Sequence, residues 1–245
     1  LKKQIEKEIK RKFNDTPDIL DDCNWNESGD KDYFLYSMLK KEFEFPKVFD
    51  RLEKGKFKDW ENVKYFGIKK KTSEKVREQV KVLYYNSKED FAIKLLTKSN
   101  DEVIISRGNK ANTFGEIYAE IKENNENFKG SKNIEEDEIV KIPNIDFKLK
   151  KEFNEIEAKP FLFASGEEYV IEKAVQTIEF SLDEKGGRVK SEAGMANKTA
   201  LLPDLEPREF LVNDTFCIFL KEKDKELPYF AAKISDITQV QKLEN

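Results

Sequence analysis

Residues 172–210 read EKAVQTIEFSLDEKGGRVKSEAGMANKTALLPDLEPREF, and this stretch decides how the fold is understood. It begins as a strand-like run, reaches Gly186 and Gly187, and continues as a long polar segment before the next apolar strand. Loops of more than about 12 to 15 residues without structure of their own are uncommon in compact domains, and they are usually functional or disordered. The loop is therefore the first candidate for a functional segment.

The first half of this loop has an alternating pattern. Small or apolar residues alternate with a second series that begins with three charges. The small or apolar series is Gly187, Val189, Ser191, Ala193 and Met195. The second series is Arg188, Lys190, Glu192, Gly194 and Ala196. A period of two residues suits a strand with one buried face. The flanking glycines would otherwise mark the same residues as a loop. The pattern therefore predicts a loop whose first part is suited to become a strand.

Upstream, residues 1–13 (LKKQIEKEIKRKF) carry Ile5, Ile9 and Phe13 four positions apart, which predicts a surface helix with one apolar stripe. Residues 32–39 (DYFLYSML) form a continuous apolar run of strand length, which predicts a strand covered on both faces. The runs NVKYFGIKK, EQVKVLYY and DFAIKLLTK follow, with short turn-rich spacers between them. They predict an antiparallel meander.

The second half of the chain mixes the two element types. Thr113 with Glu116 three residues later is a capping-box pattern, so a helix is expected to begin there. Residues 136–156 are expected to start as a strand, break at Pro143, and continue as a short helix carrying Leu149, Phe153 and Ile156. EFLVNDTFCIFLKE and PYFAAKISDI predict a closing hairpin. The predicted class is α+β, with mixed sheets in a single domain over residues 1–245.

The composition excludes several functions. The chain has no histidine, and it lacks the CxxC, GxxxxGK[ST], GxGxxG and GxSxG patterns. We therefore predict no enzyme, no catalytic residue, no cofactor and no metal site. The acidic run NIEEDE at residues 133–138 lacks the spaced oxygens and the glycine of a calcium loop, so a solvated charge run is expected.

Charge and apolar runs bear on partners and compartment. The net charge of -4 gives no reason to expect nucleic acid or an anionic membrane as a partner, and no apolar run approaches the length of a membrane span. Cys23 in a polar stretch and Cys217 in FCIFL are expected to be free thiols. The compartment stays open, because four Asn-x-Ser/Thr sequons, at Asn14, Asn26, Asn197 and Asn213, only slightly favour secretion.

In this order, the elements resemble the C-terminal part of a serpin, the serine-protease-inhibitor superfamily fold. The resemblance rests on IEKEIKRKFNDTPDIL, YFLYSMLKKEFEFPKVFD, VKIPNIDFKLKKEF, EKAVQTIEFSLDEKGG and FLVNDTFCIF. The chain departs from the family pattern at Phe43, Ile145, Glu172, Gly187, Ala232 and Ile237. Several helices and strands of a complete serpin have no counterpart in this sequence.

The resemblance implies a function for the loop. In serpins a protease cuts the loop, and the hinge then inserts as a new strand into the large sheet, which makes the inhibitor a suicide substrate. Here residues 34–39 and 171–182 would be strands of that sheet and would flank the insertion slot. The implied hinge residues are Glu184, Gly186, Gly187, Val189, Ser191 and Ala193. The implied bait region, where the protease cuts, is Thr199, Ala200, Leu201 and Leu202.

Two functions remain open on this fold. One is inhibition of a serine or cysteine protease. The other is a non-inhibitory binding, structural or interaction role, which the bulk of Val189 and the weak strand propensity of Gly187 favour. A partner is expected in either case, because a sheet without its earlier strands exposes an apolar face and an unpaired edge. That partner would be an N-terminal fragment of the same protein or a second protomer.

Overall fold

The structure is a computed structural model that describes residues 2–13, 32–185 and 206–243 of the chain. The described helices are α1 (Lys2–Phe13), α2 (Glu74–Arg77) and α3 (Phe114–Asn127), with a 3-10 turn at Ile237–Gln239. The described strands are β1 (Asp32–Glu42), β2 (Asp50–Phe57), β3 (Trp60–Ile68), β4 (Val80–Ser87), β5 (Asp90–Leu96), β6 (Asp101–Arg107), β7 (Ile139–Pro143), β8 (Ile145–Glu152), β9 (Pro160–Leu162), β10 (Glu168–Leu182), β11 (Glu209–Leu211), β12 (Phe216–Glu222) and β13 (Phe230–Ile234). None of these helices is long and apolar enough to cross a membrane.

The described strands form three sheets. Sheet I has the order β1-β10-β8, with β9 paired to the start of β10. Sheet II has the order β11-β7-β3-β2, and sheet III has the order β13-β12-β6-β5-β4. The chain divides into two compact units, Leu1–Lys41 with Lys148–Phe180 and Glu42–Phe147 with Ser181–Asn245. Mixed sheets with few helices confirm the α+β class, whereas the single domain over residues 1–245 stays a prediction.

The two strands expected to flank the insertion slot lie side by side in sheet I. Residues 34–39 fall within β1 and residues 171–182 fall within β10. The two strands are direct hydrogen-bonded neighbours, so the prediction that they share one sheet is confirmed.

Two contacts show that β1 and β10 run in the same direction. Near the two strand starts, the ring of Tyr33 lies 5.3 Å from the ring of Tyr169. Near the two strand ends, Nζ of Lys40 lies 3.3 Å from a carboxylate oxygen of Glu179. Strands of opposite direction would bring the start of one beside the end of the other. The pair is therefore parallel.

Helix α1 packs on sheet I, as the spacing of its isoleucines predicts. Ile9 and Val175 are 6% and 3% exposed, and the partly buried side chains of Ile5, Phe34 and Tyr36 pack against them. Residues four apart lie on the same face of a helix, so Ile5 and Ile9 point to the sheet together. The stripe thus contacts both β1 and β10.

The prediction that β1 is covered on both faces is wrong for the described residues. Tyr33 and Leu35 are 39% and 43% exposed, whereas Phe34 and Tyr36 pack toward α1. Successive side chains of a strand point to opposite faces of the sheet, so only one face of β1 lies under the helix. An unbroken apolar run indicates a strand, but it does not show that both faces are filled.

The predicted helix carrying Leu149, Phe153 and Ile156 is also wrong. Residues 145–152 form β8, which pairs with β10 in sheet I. The backbone N–H of Phe153 donates to the carbonyl of Ala174 at 2.9 Å, so the chain stays along β10 past the end of β8. The pairing of these residues with the long strand β10 outweighs the spacing of three apolar side chains that is also compatible with a helix.

The expected meander is divided between two sheets. β2 and β3 form a hairpin in sheet II, whereas β4, β5 and β6 are consecutive antiparallel strands of sheet III. Residues 69–79, which include α2, connect β3 to β4 and allow the change of sheet. The closing hairpin is confirmed for β12 and β13, but β11 instead pairs in parallel with β7.

Helix α3 begins as its capping box predicts. The side chain of Thr113 accepts a hydrogen bond from the backbone of Glu116, and the Glu116 carboxylate accepts one from the backbone of Thr113. The buried face of α3 consists of Ile117, Tyr118 and Ile121. It packs on sheet III in one cluster with Tyr84, Ala92, Ile104, Cys217 and Phe219. Full burial of one large apolar side chain contributes about 1.5–3 kcal/mol, so this cluster is a main part of the core.

Candidate functional site: the two ends of the loop

The loop starts at a buried acidic residue directly after β10. Leu182 is fully buried, and Glu184 two residues later is only 6% exposed. The Arg51 side chain on β2 donates from Nε to a carboxylate oxygen of Glu184 at 2.6 Å. A buried carboxylate is stable only when it is paired, so Arg51 holds the start of the loop on sheet II.

A run of phenylalanines after β1 holds the backbone of the same segment. The N–H of Phe49 donates to the carbonyl of Glu184 at 2.8 Å, and the N–H of Phe45 donates to that of Lys185 at 3.3 Å. Phe43, Phe45 and Phe49 are at most 3% exposed, and the rings of Phe45 and Phe49 meet edge-on at 4.7 Å. The backbone at the start of the loop is therefore hydrogen-bonded to a segment whose aromatic side chains are buried.

The ion pair at this end is asymmetric in its exposure. The side chain of Arg51 is 75% exposed, whereas that of Glu184 is 7% exposed. The hydrogen bond to Glu184 and its negative charge raise the pKa of Arg51, which stays a cation throughout the accessible pH range. Loss of this cation would leave the Glu184 carboxylate buried without its partner and would destabilise the fold.

The far end of the loop is held by a second arginine. Arg208 binds both carboxylate oxygens of Glu138 through Nε and Nη2, with Nη2 at 2.9 Å. The same guanidinium donates to the backbone carbonyls of Ser131 and Asn133, each at 2.8 Å. The side chains of Arg208 and Glu138 are 16% and 6% exposed, so both members of this pair are enclosed, whereas in the first pair only Glu184 is. A fork of this kind fixes the side chain in one orientation.

Strand β11 continues from Arg208 into the core. Phe210 is fully buried, and its ring lies 5.0 Å from that of Tyr85 and 5.4 Å from that of Phe91. Nη1 of Arg107 donates to the carbonyl of Leu211 at 2.6 Å. Edge strand β11 has only three residues, so these side-chain contacts add much of its attachment to sheet II.

The structure describes only one of the predicted site residues. Glu184 lies in the described part of the chain, at the start of the loop. The other hinge residues and the bait region lie outside the described residues: Gly186, Gly187, Val189, Ser191, Ala193, Thr199, Ala200, Leu201 and Leu202. Arg51, Glu138 and Arg208 were missed by the sequence analysis. No spacing pattern signals them, because Arg51 is 133 residues from Glu184 and Arg208 is 70 residues from Glu138.

Few other reactive groups are placed together. In residues 2–13, 32–185 and 206–243, no group of three or more His, Cys, Asp or Glu side chains could hold a metal ion. Cys217 is a free, buried thiol, as predicted, and burial raises its pKa. Cys23 lies outside the described residues.

No protein-family model and no curated protein sequence matches the chain. Solved structures do match it. Serpin48, a highly specific serpin of the insect Tenebrio molitor, aligns with a TM-score of 0.58 and 14% identity over 95% of this chain and 63% of its own. Thyroxine-binding globulin in complex with thyroxine aligns with a TM-score of 0.58 and 10% identity over 95% and 63%. Tengpin, a thermophilic serpin in its native state, aligns with a TM-score of 0.53 and 12% identity over 95% and 62%.

The chain has a serpin-like fold. It spans 63% of the length of Serpin48, 63% of thyroxine-binding globulin and 62% of Tengpin. The identities of 14%, 10% and 12% limit the likeness to the fold. The function of the loop is therefore inferred from its own sequence and from the residues that hold its two ends.

Proposed function

We propose that this chain acts as a serpin-like protease inhibitor, in which cleavage of the loop is followed by its insertion into sheet I. One observation carries the proposal: β1 and β10 are parallel, directly paired neighbours, and β10 leads without a break to Glu184 at the start of the loop. A strand that follows β10 and folds back antiparallel can pair with both of them. Insertion would replace the one row of hydrogen bonds between β1 and β10 by two rows, one from the inserted strand to each of them.

The loop sequence supplies a strand of the required pattern. Gly187, Val189, Ser191 and Ala193 are the inward series, and the charged residues of the other series stay in solvent. Burying an unpaired charge costs more than a strand ladder returns, so only one of the two faces can be covered. The pattern thus supports one orientation of the inserted strand.

The anchors give the two ends of the loop different roles. The Arg51 side of the Arg51–Glu184 pair is open to solvent, so water can replace Glu184 as the partner of the guanidinium when the hinge moves. The enclosed Arg208–Glu138 pair keeps β11 in sheet II. After cleavage, the part that follows Glu184 is free to insert while the part that precedes Arg208 stays in place. The two cut ends then separate.

A non-inhibitory binding role is the second candidate on the same fold. Gly187 weakens a strand and Val189 is bulky and stiff, so both oppose rapid insertion. Thyroxine-binding globulin, in complex with thyroxine, is among the matching structures. A protein of this second kind is cut in the loop without any further change.

SDS gels and thermal melting distinguish the inhibitory role from the binding role. We would incubate the protein with a panel of serine and cysteine proteases, run SDS gels, and measure the melting temperature before and after loop cleavage. Inhibition predicts an SDS-stable complex with a protease and a large rise in melting temperature after cleavage. A cut loop with no covalent complex and an unchanged melting temperature supports the binding role.

We also propose that a further polypeptide covers sheet I, either an N-terminal fragment of the same protein or a second protomer. Large apolar side chains of this unit are exposed: Tyr33 (39%), Leu35 (43%), Leu149 (52%), Leu162 (69%) and Phe163 (47%). Exposed apolar patches of this kind usually mark an interaction surface. Native mass spectrometry should detect a species heavier than 28.7 kDa. A stable, unbound monomer at that mass would contradict this proposal.

A further inference from the structure

The side-chain contacts that join β1 to β10 change in character along the two strands. At the strand starts two aromatic rings meet, those of Tyr33 and Tyr169, with centroids 5.3 Å apart. In the last part of each strand the contact is an ion pair, in which Nζ of Lys40 lies 3.3 Å from Oε2 of Glu179. β10 leads from this end directly to the loop. The ion pair therefore stands at the end of the slot that an inserting loop would enter first.

The carboxylate of Glu179 is shared between two lysines on opposite sides of β10. Its Oε2 faces Lys40 on β1, and its Oε1 lies 2.7 Å from Nζ of Lys148 on β8. β10 is the middle strand in the order β1-β10-β8, so the two ammonium groups approach the carboxylate from opposite neighbours. Insertion between β1 and β10 would separate the first pair, whereas the second pair lies outside the slot.

Glu179 is the enclosed member of this group. Its side chain is 20% exposed, against 48% for Lys40 and 67% for Lys148. The hydrogen bond from Lys148 is the largest cause of the lowered pKa of Glu179, and the hydrogen bond from Lys40 contributes less. The carboxylate therefore keeps its stronger partner when Lys40 leaves, and water can stabilise the half-exposed Lys40. Opening of the slot at this point leaves none of these three charges both buried and unpaired.

The two lysines also act on each other at the shared carboxylate. Two ammonium groups that approach one carboxylate repel each other, so Lys148 weakens the attachment of Lys40 to Glu179. Removal of Lys148 should therefore strengthen the contact across the slot, whereas removal of Lys40 should abolish it. The two lysines are thus expected to have opposite effects on the opening of the slot, although each pairs with the same residue.

We infer that the Lys40–Glu179 pair is a releasable latch on the insertion slot, and that Lys148 sets the strength of this latch by holding the same carboxylate from β8. The purpose of the latch rests on the proposed insertion of the loop, but the latch itself belongs to the uncleaved protein. An inserted strand would move β1 and β10 from about 4.8 Å to about 9.6 Å apart and would place its own side chains between Lys40 and Glu179. Insertion at this end therefore requires the latch to open first.

Hydrogen exchange of the uncleaved whole chain, followed by mass spectrometry of its peptides, tests the latch without loop cleavage. Opening of the slot exposes backbone amides of β1, so the readout is the exchange rate of residues 34–39, with β5 in sheet III as the internal reference. Lys148→Met is the matched control for Lys40→Met, because it makes the same change of charge at the same carboxylate. We expect exchange about two- to fivefold faster than wild type in Lys40→Met, and no faster than wild type in Lys148→Met.

A second variant, Glu179→Gln, keeps the shape of the side chain and removes its charge, so its exchange should match that of Lys40→Met. Exchange at the wild-type rate in Lys40→Met or in Glu179→Gln overturns the inference. Faster exchange in Lys148→Met also overturns it, because the ion pairs would then only stabilise sheet I as a whole. The circular dichroism spectrum of each variant shows whether it folds.

The rate of change after loop cleavage separates the latch from the proposed function. If the loop inserts, the rise in melting temperature should develop about two- to fivefold sooner in Lys40→Met than in wild type, and no sooner in Lys148→Met. A rise that develops equally fast in wild type and in Lys40→Met would contradict a latch on insertion. If no cleaved variant shows a rise, the proposed insertion fails, while the exchange rates of the uncleaved chain still decide whether the latch exists.

Discussion

Nε of Arg51 lies 2.6 Å from a carboxylate oxygen of Glu184, across 133 residues of chain, and this contact joins sheet II to the start of the loop. Glu184 is buried, so Arg51 is the group that stabilises its negative charge. Arg51 is exposed, so water can stabilise its positive charge without Glu184.

Arg51→Ala should lower the free energy of unfolding more than Lys56→Ala does, since it leaves the Glu184 carboxylate buried without its cation. Urea unfolding followed by tryptophan fluorescence measures the change. Lys56→Ala is the control, because its partner Glu61 is also exposed, and a pair in which both members face solvent contributes little to stability. Equal effects of the two substitutions would show that Glu184 does not depend on Arg51.

Arg208→Ala should be more damaging, by about 3–5 kcal/mol, because both members of its pair with Glu138 are enclosed. Arg208→Lys should recover little of this, since an ammonium group cannot bind both carboxylate oxygens and the two carbonyls together. The free energy of unfolding again supplies the measurement. Full recovery by lysine would mean that charge alone, without the fork geometry, holds β11.

Glu179 predicts a pH dependence for sheet I. The hydrogen bond from Lys148 at 2.7 Å, together with the charge of Lys40, holds the pKa of Glu179 below its ordinary value despite partial burial. A folded-state pKa below the unfolded one stabilises the fold above the unfolded pKa of about 4.3, and this stabilisation is lost as the pH falls through the folded value. The difference in melting temperature between wild type and Glu179→Gln should therefore shrink as the pH falls from neutral toward the folded-state pKa. A difference that stays constant over this range would contradict the assignment.

Val189 tests the predicted orientation of the hinge. If the loop inserts, Val189→Arg places a charge on the covered face, so inhibition and the rise in melting temperature should be lost while loop cleavage continues. Lys190→Glu on the opposite series should have little effect on either readout. Wild-type behaviour of Val189→Arg in the gel and the melt would leave the segment as a solvated loop on a non-inhibitory protein.

Periodicity was enough to predict several elements of the fold. The i, i+4 isoleucines of α1 and the capping box at Thr113 are local signals, and the structure contains both helices. β8 was mistaken for a helix because Leu149, Phe153 and Ile156 have a spacing that a helix also allows. The deciding interaction is its pairing with β10, and residues that are distant in sequence supply it.

The candidate site was predictable only in part for the same physical reason. Glu184 follows a long strand and precedes two glycines, so its place at the start of the loop follows from local sequence. Arg51 and Arg208 are ordinary surface-type residues in the sequence. Their importance arises only when the fold places each beside a distant buried carboxylate.

The central claim, insertion of the loop between β1 and β10, is tested most directly by the separation of these two strands. Nitroxide labels on cysteines introduced at Leu35 and Glu172, with Cys23→Ser and Cys217→Ala, would report it by dipolar broadening. Paired strands lie about 4.8 Å apart, and a strand inserted between them doubles that spacing to about 9.6 Å. We predict weaker broadening after cleavage of the loop in the wild-type hinge, and no change in Val189→Arg. Unchanged broadening in the fully cleaved wild-type hinge would contradict the account.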